Sequence, residues 1–250
     1  MNSFILEVTS LENKIIENKN IFSEKIYRKL LDIIEEKETK NLKVSNIFGM
    51  FFEKNIELMK GKKYRIRIVT KNQKIFSKIQ SKLFEIAINK EEIEIDEMIF
   101  SLAGINTKDE TWCGEYKLEN KIKKINDEDF NFSKKVLLKV VTPIIENKKS
   151  IYGFNKIFNM ILSEIENERI IENMEGLKES IENSIIIRRE VYHEKRKSLL
   201  NDEIKKIYLG DIELELQGYY GKWLYLLLQY IRFSGVGDNK EYGFGEIILK

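Results

Sequence analysis

Apolar residues in the first half of the chain recur at strand and helix spacings in turn. Residues 4–8 form a short apolar run that predicts a strand, and residues 21–36 and 73–88 carry apolar side chains every three or four positions, as helices do. Residues 64–68 alternate apolar side chains with arginines, which predicts a half-buried strand with a basic outer face, and residues 93–98 predict another strand. We interpret this half, residues 1–119, as strand–helix–strand–strand–helix–strand, which is a ferredoxin-like order.

The second half, residues 134–250, repeats this order after a polar and charged segment, residues 120–133, that we interpret as a linker. Strands are predicted at 136–142, 185–192, 207–216 and 247–249, helices at 151–165 and 223–233, and a further acidic helix or long loop at 170–182. Pro143 favours an extended conformation at Thr142. The pattern therefore predicts an α+β fold of two tandem ferredoxin-like (RRM-like) halves.

Composition limits the chemistry that the chain can support. The chain has 250 residues, 43 basic and 41 acidic side chains, and a net charge of +2, so a nucleic-acid site has to be a local patch. One cysteine and one histidine exclude an internal disulfide and any cysteine-rich or multi-histidine metal site, and we expect no cofactor. The N-terminus lacks signal-peptide features and no apolar run is long enough to span a bilayer, so we expect a soluble cytoplasmic protein without membrane contact.

The C-terminal segment contains two pairs of glycines between the predicted last helix and the predicted last strand. It reads G-V-G-D-N-K-E-Y-G-F-G, with glycines at Gly235, Gly237, Gly243 and Gly245. Glycine allows positive φ and close backbone approach, so two such pairs favour a loop shaped against a partner over a simple helix cap. The order helix, glycines, strand excludes both the P-loop and the dinucleotide fingerprint.

This segment resembles the glycine-rich loop of the RAMP superfamily of CRISPR-associated proteins, in particular the endoribonuclease family that cuts the repeats of precursor CRISPR RNA. That family ends in G-h-G, five residues, G-h-G, where h is hydrophobic. Other segments are similar to the family's motifs in the same order: I-Y-R-K-L-L at 26–31, K-G-K-K-Y-R-I-R-I at 60–68, V-L-L-K-V-V-T-P at 136–143 and G-D-I-E-L at 210–214.

The resemblance implies a metal-independent endoribonuclease that leaves a 2′,3′-cyclic phosphate and generates guide RNAs from CRISPR repeat RNA. Tyr27 matches the family's helical tyrosine, and Lys43, expected at the end of the loop that follows this helix, matches its lysine. Residues 35–42 lack the usual histidine. Lys37, Lys40 and Lys43 are then the candidates for stabilising the phosphorane and protonating the leaving oxygen. His193 is the alternative catalytic residue, from the second half.

Basic clusters supply candidate RNA contacts. We expect Arg188, Arg189, Arg196 and Lys197 to meet phosphates and Tyr242 to stack on an unpaired base. We also expect the glycine-rich segment to pack at the cleft between the halves and to offer its amides to RNA. The alternative function is a non-cleaving subunit that holds CRISPR repeat RNA. Other CRISPR effector subunits are further candidate partners, and the protein is expected to be a monomer or homodimer.

Overall fold

The computed structural model describes residues 1–17, 22–37, 39, 41–47, 55–108, 113–125, 130–147, 149–167, 174–198 and 204–250. The helices are α1 (Phe22–Ile33), α2 (Gln73–Asn89), α3 (Leu118–Ile122), α4 (Phe154–Asn167), α5 (Met174–Glu182) and α6 (Gly218–Ser234). The strands of the N-terminal part are β1 (Asn2–Ser10), β2 (Lys14–Glu17), β3 (Leu42–Val44), β4 (Asn55–Leu58), β5 (Lys63–Thr70), β6 (Glu92–Ile95), β7 (Met98–Asn106) and β8 (Gly114–Glu115). The remaining strands are β9 (Ser133–Val140), β10 (Ile144–Glu146), β11 (Lys149–Ile151), β12 (Ile185–Ser198), β13 (Ile204–Gln217) and β14 (Ile247–Leu249).

The chain divides into two compact units. Unit 1 contains Met1–Tyr116, Ser198–Ile204 and Lys240–Gly243, and unit 2 contains Lys117–Lys197, Lys205–Asn239 and Phe244–Lys250. The segment predicted as a linker, residues 120–133, starts inside α3 and ends on the first residue of β9. No helix in the described ranges has both the length and the apolar character needed to cross a membrane.

Unit 1 is built on an antiparallel sheet with the strand order β3-β5-β1-β7-β6, and β8 pairs with β1. Along the chain, β1, α1, β3, β5, α2 and β7 follow the strand and helix order of a ferredoxin-like domain. Its hydrophobic core joins the inner face of this sheet to the apolar faces of α1 and α2, with residues such as Phe4, Ile26, Ile68 and Ile79 at the centre. The helical spacing along the chain thus identified the faces that are buried.

Unit 2 repeats the same topology. Its sheet has the order β12-β13-β9-β14, so the first strand of the unit lies between the third and the fourth. Helices α4 and α6 occupy the two crossover positions, and α6 is buried along most of its length, as its apolar sequence predicts. The predicted fold class of two tandem ferredoxin-like halves is therefore confirmed.

Three local predictions need correction. The single strand expected at 93–98 is a hairpin of β6 and β7, because Asp96 and Glu97 both adopt positive φ and turn the chain back. The helix expected from residue 151 begins at Phe154, because residues 149–151 pair with β10 instead. Lys43, expected at the end of a loop, lies in the short strand β3.

Candidate functional site

The glycine-rich segment leaves α6 through a tight turn. The amide of Gly235 donates to the Ile231 carbonyl at 2.7 Å, and φ at Gly235 is 70°. Val236 then pairs with the end of the segment, its amide donating to the Gly245 carbonyl at 3.0 Å. A 3-10 turn at Lys240–Tyr242 lies between the two glycine pairs and forms the tip of the segment.

Two of the glycines are required by unit 2 itself. A Cβ added at Gly245 would lie 1.8 Å from the Val236 carbonyl oxygen, and φ there is +66°. A Cβ at Gly237, where φ is +90°, would lie 2.4 Å from the Ile145 carbonyl oxygen. Both contacts are with backbone atoms, so any other residue would displace the main chain. At these two glycines, the segment is therefore shaped against the protein's own backbone.

Many amides of the segment already donate within the protein. Gly243 donates to Lys240 O at 3.0 Å, Gly245 to Pro143 O at 2.9 Å, and Asp238 to Ile145 O at 2.7 Å. The Glu246 amide donates to Thr142 Oγ1 at 2.7 Å. A phosphate would have to displace these bonds to reach those amides. The expectation that the segment offers its amides to RNA stays a prediction, and the amides named here meet it only if a phosphate replaces their present acceptors.

The tip of the segment packs on α1 and β3 within unit 1. The rings of Tyr242 and Tyr27 meet edge to face, with centroids 5.5 Å apart at an interplanar angle of 86°. Ser23 Oγ of α1 donates to the Tyr242 carbonyl at 2.5 Å. A Cβ on Gly243 would lie 3.0 Å from the Val44 carbonyl oxygen, so the backbone of the segment lies directly against β3. Two tyrosines selected from distant parts of the sequence are therefore in contact.

Tyr242 has a perturbed phenol. Partial burial, followed by the carboxylates of Glu241 and Glu24, raises the pKa of Tyr242 above its ordinary value of 10.0. The side chain is therefore a neutral hydrogen-bonding and stacking group at physiological pH.

Tyr27 anchors the loop that follows α1. Its hydroxyl donates to the Thr39 carbonyl at 2.9 Å and accepts from the Thr39 amide at 3.2 Å. The residue is buried, at 3% exposure. A hydroxyl engaged in this way holds the backbone of the loop in place, and that loop carries the exposed Lys37. Lys40 lies outside the described residues.

Lys43 occupies the sheet face opposite the hydrophobic core. Its neighbours Leu42 and Val44 belong to the core, so strand alternation directs Lys43 to the other side, where it is only 6% exposed. Lys43 pairs with Val69 of β5.

Arg67 is buried, although the sequence pattern predicted that it would be exposed. The alternation of Arg65 and Arg67 with apolar residues predicted an exposed basic face on this strand. Arg65 agrees with the prediction, because it pairs with Glu7 at the surface with 2.8 Å between Nε and Oε1. Arg67, however, is 1% exposed and shares the face of Lys43. The backbone amide of Arg67 donates to Ser45 Oγ at 2.8 Å. Burying a guanidinium has a large desolvation cost. The sheet face that carries Arg67 and Lys43 is therefore a further candidate for a functional role.

The predicted basic cluster of unit 2 is partly neutralised by carboxylates. Arg188 donates from Nε and Nη2 to Glu215 at 2.9 and 2.7 Å, and Arg189 lies 3.8 Å from Glu213. The hydrogen bonds from Arg188, followed by that from Gln217, lower the pKa of Glu215. His193 is exposed on the same strand, β12. The side chains of Arg196 and Lys197 lie outside the described part of β12.

The predicted site residues therefore form two groups. Unit 1 brings Tyr27, Tyr242, Gly243 and the strand of Lys43 together. Unit 2 carries Arg188, Arg189 and His193 on β12, and Gly235, Gly237 and Gly245 between α6 and β14.

No family model and no curated protein sequence matches the chain. Several solved structures match the chain over its full length. A Thermus thermophilus Cas6 protein in a product complex aligns with a TM-score of 0.68 at 14% identity, covering 100% of this chain and 99% of that one. A RAMP protein that binds different RNA substrates aligns at 0.59 and 14%, covering 100% of both chains. A Cas6-related protein from Pyrococcus furiosus aligns at 0.57 and 13%, covering 100% of this chain and 98% of that one. The chain therefore has the fold of the Cas6 and RAMP proteins along its entire length.

Proposed function

We propose that this protein binds CRISPR repeat RNA and cleaves it without a metal ion. One observation carries the proposal: the entire chain shares its fold with Cas6 in a product complex, while its own glycine-rich segment contacts the helix that supplies the candidate tyrosine. The first part is a likeness of fold at 14% identity, and the second is a feature of this chain.

The chemistry is an in-line displacement at phosphorus. The 2′-oxygen loses its proton to a base and forms a bond to phosphorus, the bond from phosphorus to the 5′-oxygen breaks, and that oxygen receives a proton. The products are a 2′,3′-cyclic phosphate and a 5′-hydroxyl. An ordinary lysine, with a pKa near 10.4, stabilises the added negative charge and donates the proton better than it removes one.

The roles follow from the position of each side chain. Lys37 is exposed and extends from the loop that Tyr27 holds, so it is the candidate proton donor to the leaving oxygen. Lys43 contributes positive charge from β3, next to the segment tip. Tyr27 is a positioning residue, because its hydroxyl is engaged with Thr39. Orientation of the RNA for in-line attack supplies much of the remaining rate.

The decisive experiment incubates the purified protein with repeat RNA from its own CRISPR array in EDTA and analyses the product ends. A 2′,3′-cyclic phosphate in EDTA is expected, and a 2′-deoxy nucleotide at the cut position should abolish the product. A requirement for a divalent cation, or a 3′-hydroxyl product, would contradict the mechanism.

Variants then locate the site. Lys37→Ala and Lys43→Met, which keeps the length of the buried side chain, should slow cleavage by about a hundredfold with little loss of RNA affinity. His193→Ala should weaken binding more than it slows cleavage. If His193→Ala alone abolishes the product, the catalytic groups lie in unit 2.

The second candidate function is RNA binding without cleavage. The absence of a histidine from residues 35–42 favours it, because histidine is the side chain whose ordinary pKa suits proton transfer near neutral pH. Tight repeat binding with no product under any condition would select this function.

A further inference from the structure

An aromatic patch that none of the assignments above uses lies at the start of α6. It consists of Phe130, Phe132, Tyr219, Tyr220 and Tyr225, which come from two segments of unit 2. Pairing of β9 with β13 aligns Ser133 with Gln217, and the Gly218 amide donates to the Phe132 carbonyl at 2.7 Å. The residues before β9 and those opening α6 are therefore side by side.

The rings of the patch are arranged in contact rather than scattered. Phe130 stacks on Tyr219 with centroids 5.4 Å apart at 26°, and Tyr219 meets Tyr220 edge to face at 5.3 Å. Phe130 nevertheless remains 63% exposed, so most of its ring surface is open to a further planar group. A large exposed aromatic that extends an existing stack is a costly surface for a protein that has no ligand there.

Two lysines lie against the other two rings of the patch, Phe132 and Tyr225, whose centroids are 5.9 Å apart. The Lys134 ammonium lies 4.0 Å from the Tyr225 ring centroid and donates to its hydroxyl at 2.6 Å. The Lys222 ammonium lies 5.1 Å from the Phe132 ring centroid. Aromatic rings with cations close to them are the combination that binds single-stranded nucleic acid, since every base offers a flat face and every nucleotide a phosphate.

We propose that this aromatic patch is a stacking platform for unpaired nucleotides of a bound single-stranded RNA, with Lys134 and Lys222 contacting the phosphates. The inference rests on the proposed function, because it names where an unpaired part of the RNA is held. Helix α6 has 17 residues and is about 25 Å long, so the patch and the glycine-rich segment lie at opposite ends of one helix. The patch is thus an RNA contact separate from the predicted site.

The test compares RNA binding by variants at two exposed phenylalanines, one inside the patch and one outside it. Phe130→Ala should weaken binding of a short fluorescein-labelled oligouridylate by about fivefold or more, whereas Phe130→Tyr should retain it. Phe84→Ala is the matched control, because Phe84 is 54% exposed on α2, in unit 1 and outside this aromatic patch. Far-ultraviolet circular dichroism and thermal melting verify that each variant folds.

Two further readouts identify the ligand class. Lys134→Gln and Lys222→Gln should each reduce the slope of log K against log salt by about 0.7. Asp127, Glu128 and Asp129 precede Phe130 in the sequence and lie outside the described residues, and because they are unchanged in these variants their charge cancels in the comparison with wild type. Photocrosslinking with 5-iodouridine oligomers should label a peptide that contains Phe130 or Tyr220.

The outcomes separate this inference from the proposed function. If wild type binds repeat RNA while Phe130→Ala and Phe84→Ala bind oligouridylate equally, the platform is refuted and the proposed function stands. If wild type binds neither RNA, both are refuted. If the patch variants lose a co-purifying protein while RNA affinity and crosslinks do not change, the patch is a protein-docking surface and the inference is wrong.

Discussion

The ring of Tyr242, near the C-terminus, packs edge to face on the ring of Tyr27 in α1, with centroids 5.5 Å apart. The contact joins residues separated by most of the chain, and it fixes the tip of the glycine-rich segment on the helix that also holds the loop of Lys37. Because Ser23 Oγ donates to the Tyr242 carbonyl from the same helix, both side chain and backbone of the tip are held. Changes at Tyr27 should therefore affect two elements at once.

Tyr27→Phe should lower the free energy of unfolding by about 1–3 kcal/mol, because the backbone amide and carbonyl of Thr39 lose their shared partner. Urea unfolding measures this loss. The variant should also accelerate amide exchange in the loop after α1 and slow RNA cleavage with little change in affinity.

Tyr64→Phe is the control for this variant. Tyr64 is also buried, and its hydroxyl accepts from the Met59 amide at 2.8 Å. It should lose a similar amount of stability without slowing cleavage. Equal effects of the two variants on cleavage would show that Tyr27 acts only through general stability.

Tyr242 should ionise late in an alkaline titration. The absorbance difference between wild type and Tyr242→Phe should contain a tyrosinate that forms above the ordinary pKa of 10.0. Because the folded pKa is raised, the stability linked to this proton is fully present below about pH 10 and is lost as the pH rises through the folded value. The free energy of unfolding of Tyr242→Phe, measured with urea, should accordingly decline less steeply than that of wild type over that pH interval. An identical decline in both proteins would show that Tyr242 is not buried as described.

Gly245→Ala should destabilise the protein by more than about 2 kcal/mol, since the new Cβ would lie 1.8 Å from the Val236 carbonyl oxygen at a φ of +66°. Gly61→Ala isolates the cost of positive φ, because φ is +79° there and nothing lies within 4 Å of the added Cβ. It should cost about 1–2 kcal/mol. Similar unfolding energies for the two variants would remove the argument for close backbone packing in the segment.

The double variant Arg188→Gln with Glu215→Gln tests whether a paired arginine also contacts RNA. It keeps the net charge, so the slope of log K against log salt should fall by about 0.7 only if Arg188 contacts a phosphate. Lys82→Gln with Glu85→Gln removes a comparable surface pair on α2 and should leave the slope unchanged. An unchanged slope in both would assign Arg188 to sheet pairing alone.

The sequence determined much of the fold, because helix and strand periodicity is a local property of the chain. Strand β14 has the predicted limits, and the two predicted halves have the ferredoxin-like order of elements. The paired glycines were likewise visible as a motif, since positive φ and close approach select glycine wherever they occur.

Only the tertiary structure decided which side chains of these elements are buried and which residues they contact. Arg67 and Arg65 look alike in the sequence, yet one is buried and the other pairs at the surface, because burial depends on what lies over each part of the sheet. Likewise, Arg188 of β12 meets Glu215 of the neighbouring strand β13, and the pairing of β9 with β13 assembles the aromatic patch from two distant segments. Such contacts depend on strand register and long-range packing, and no local spacing in the chain encodes them.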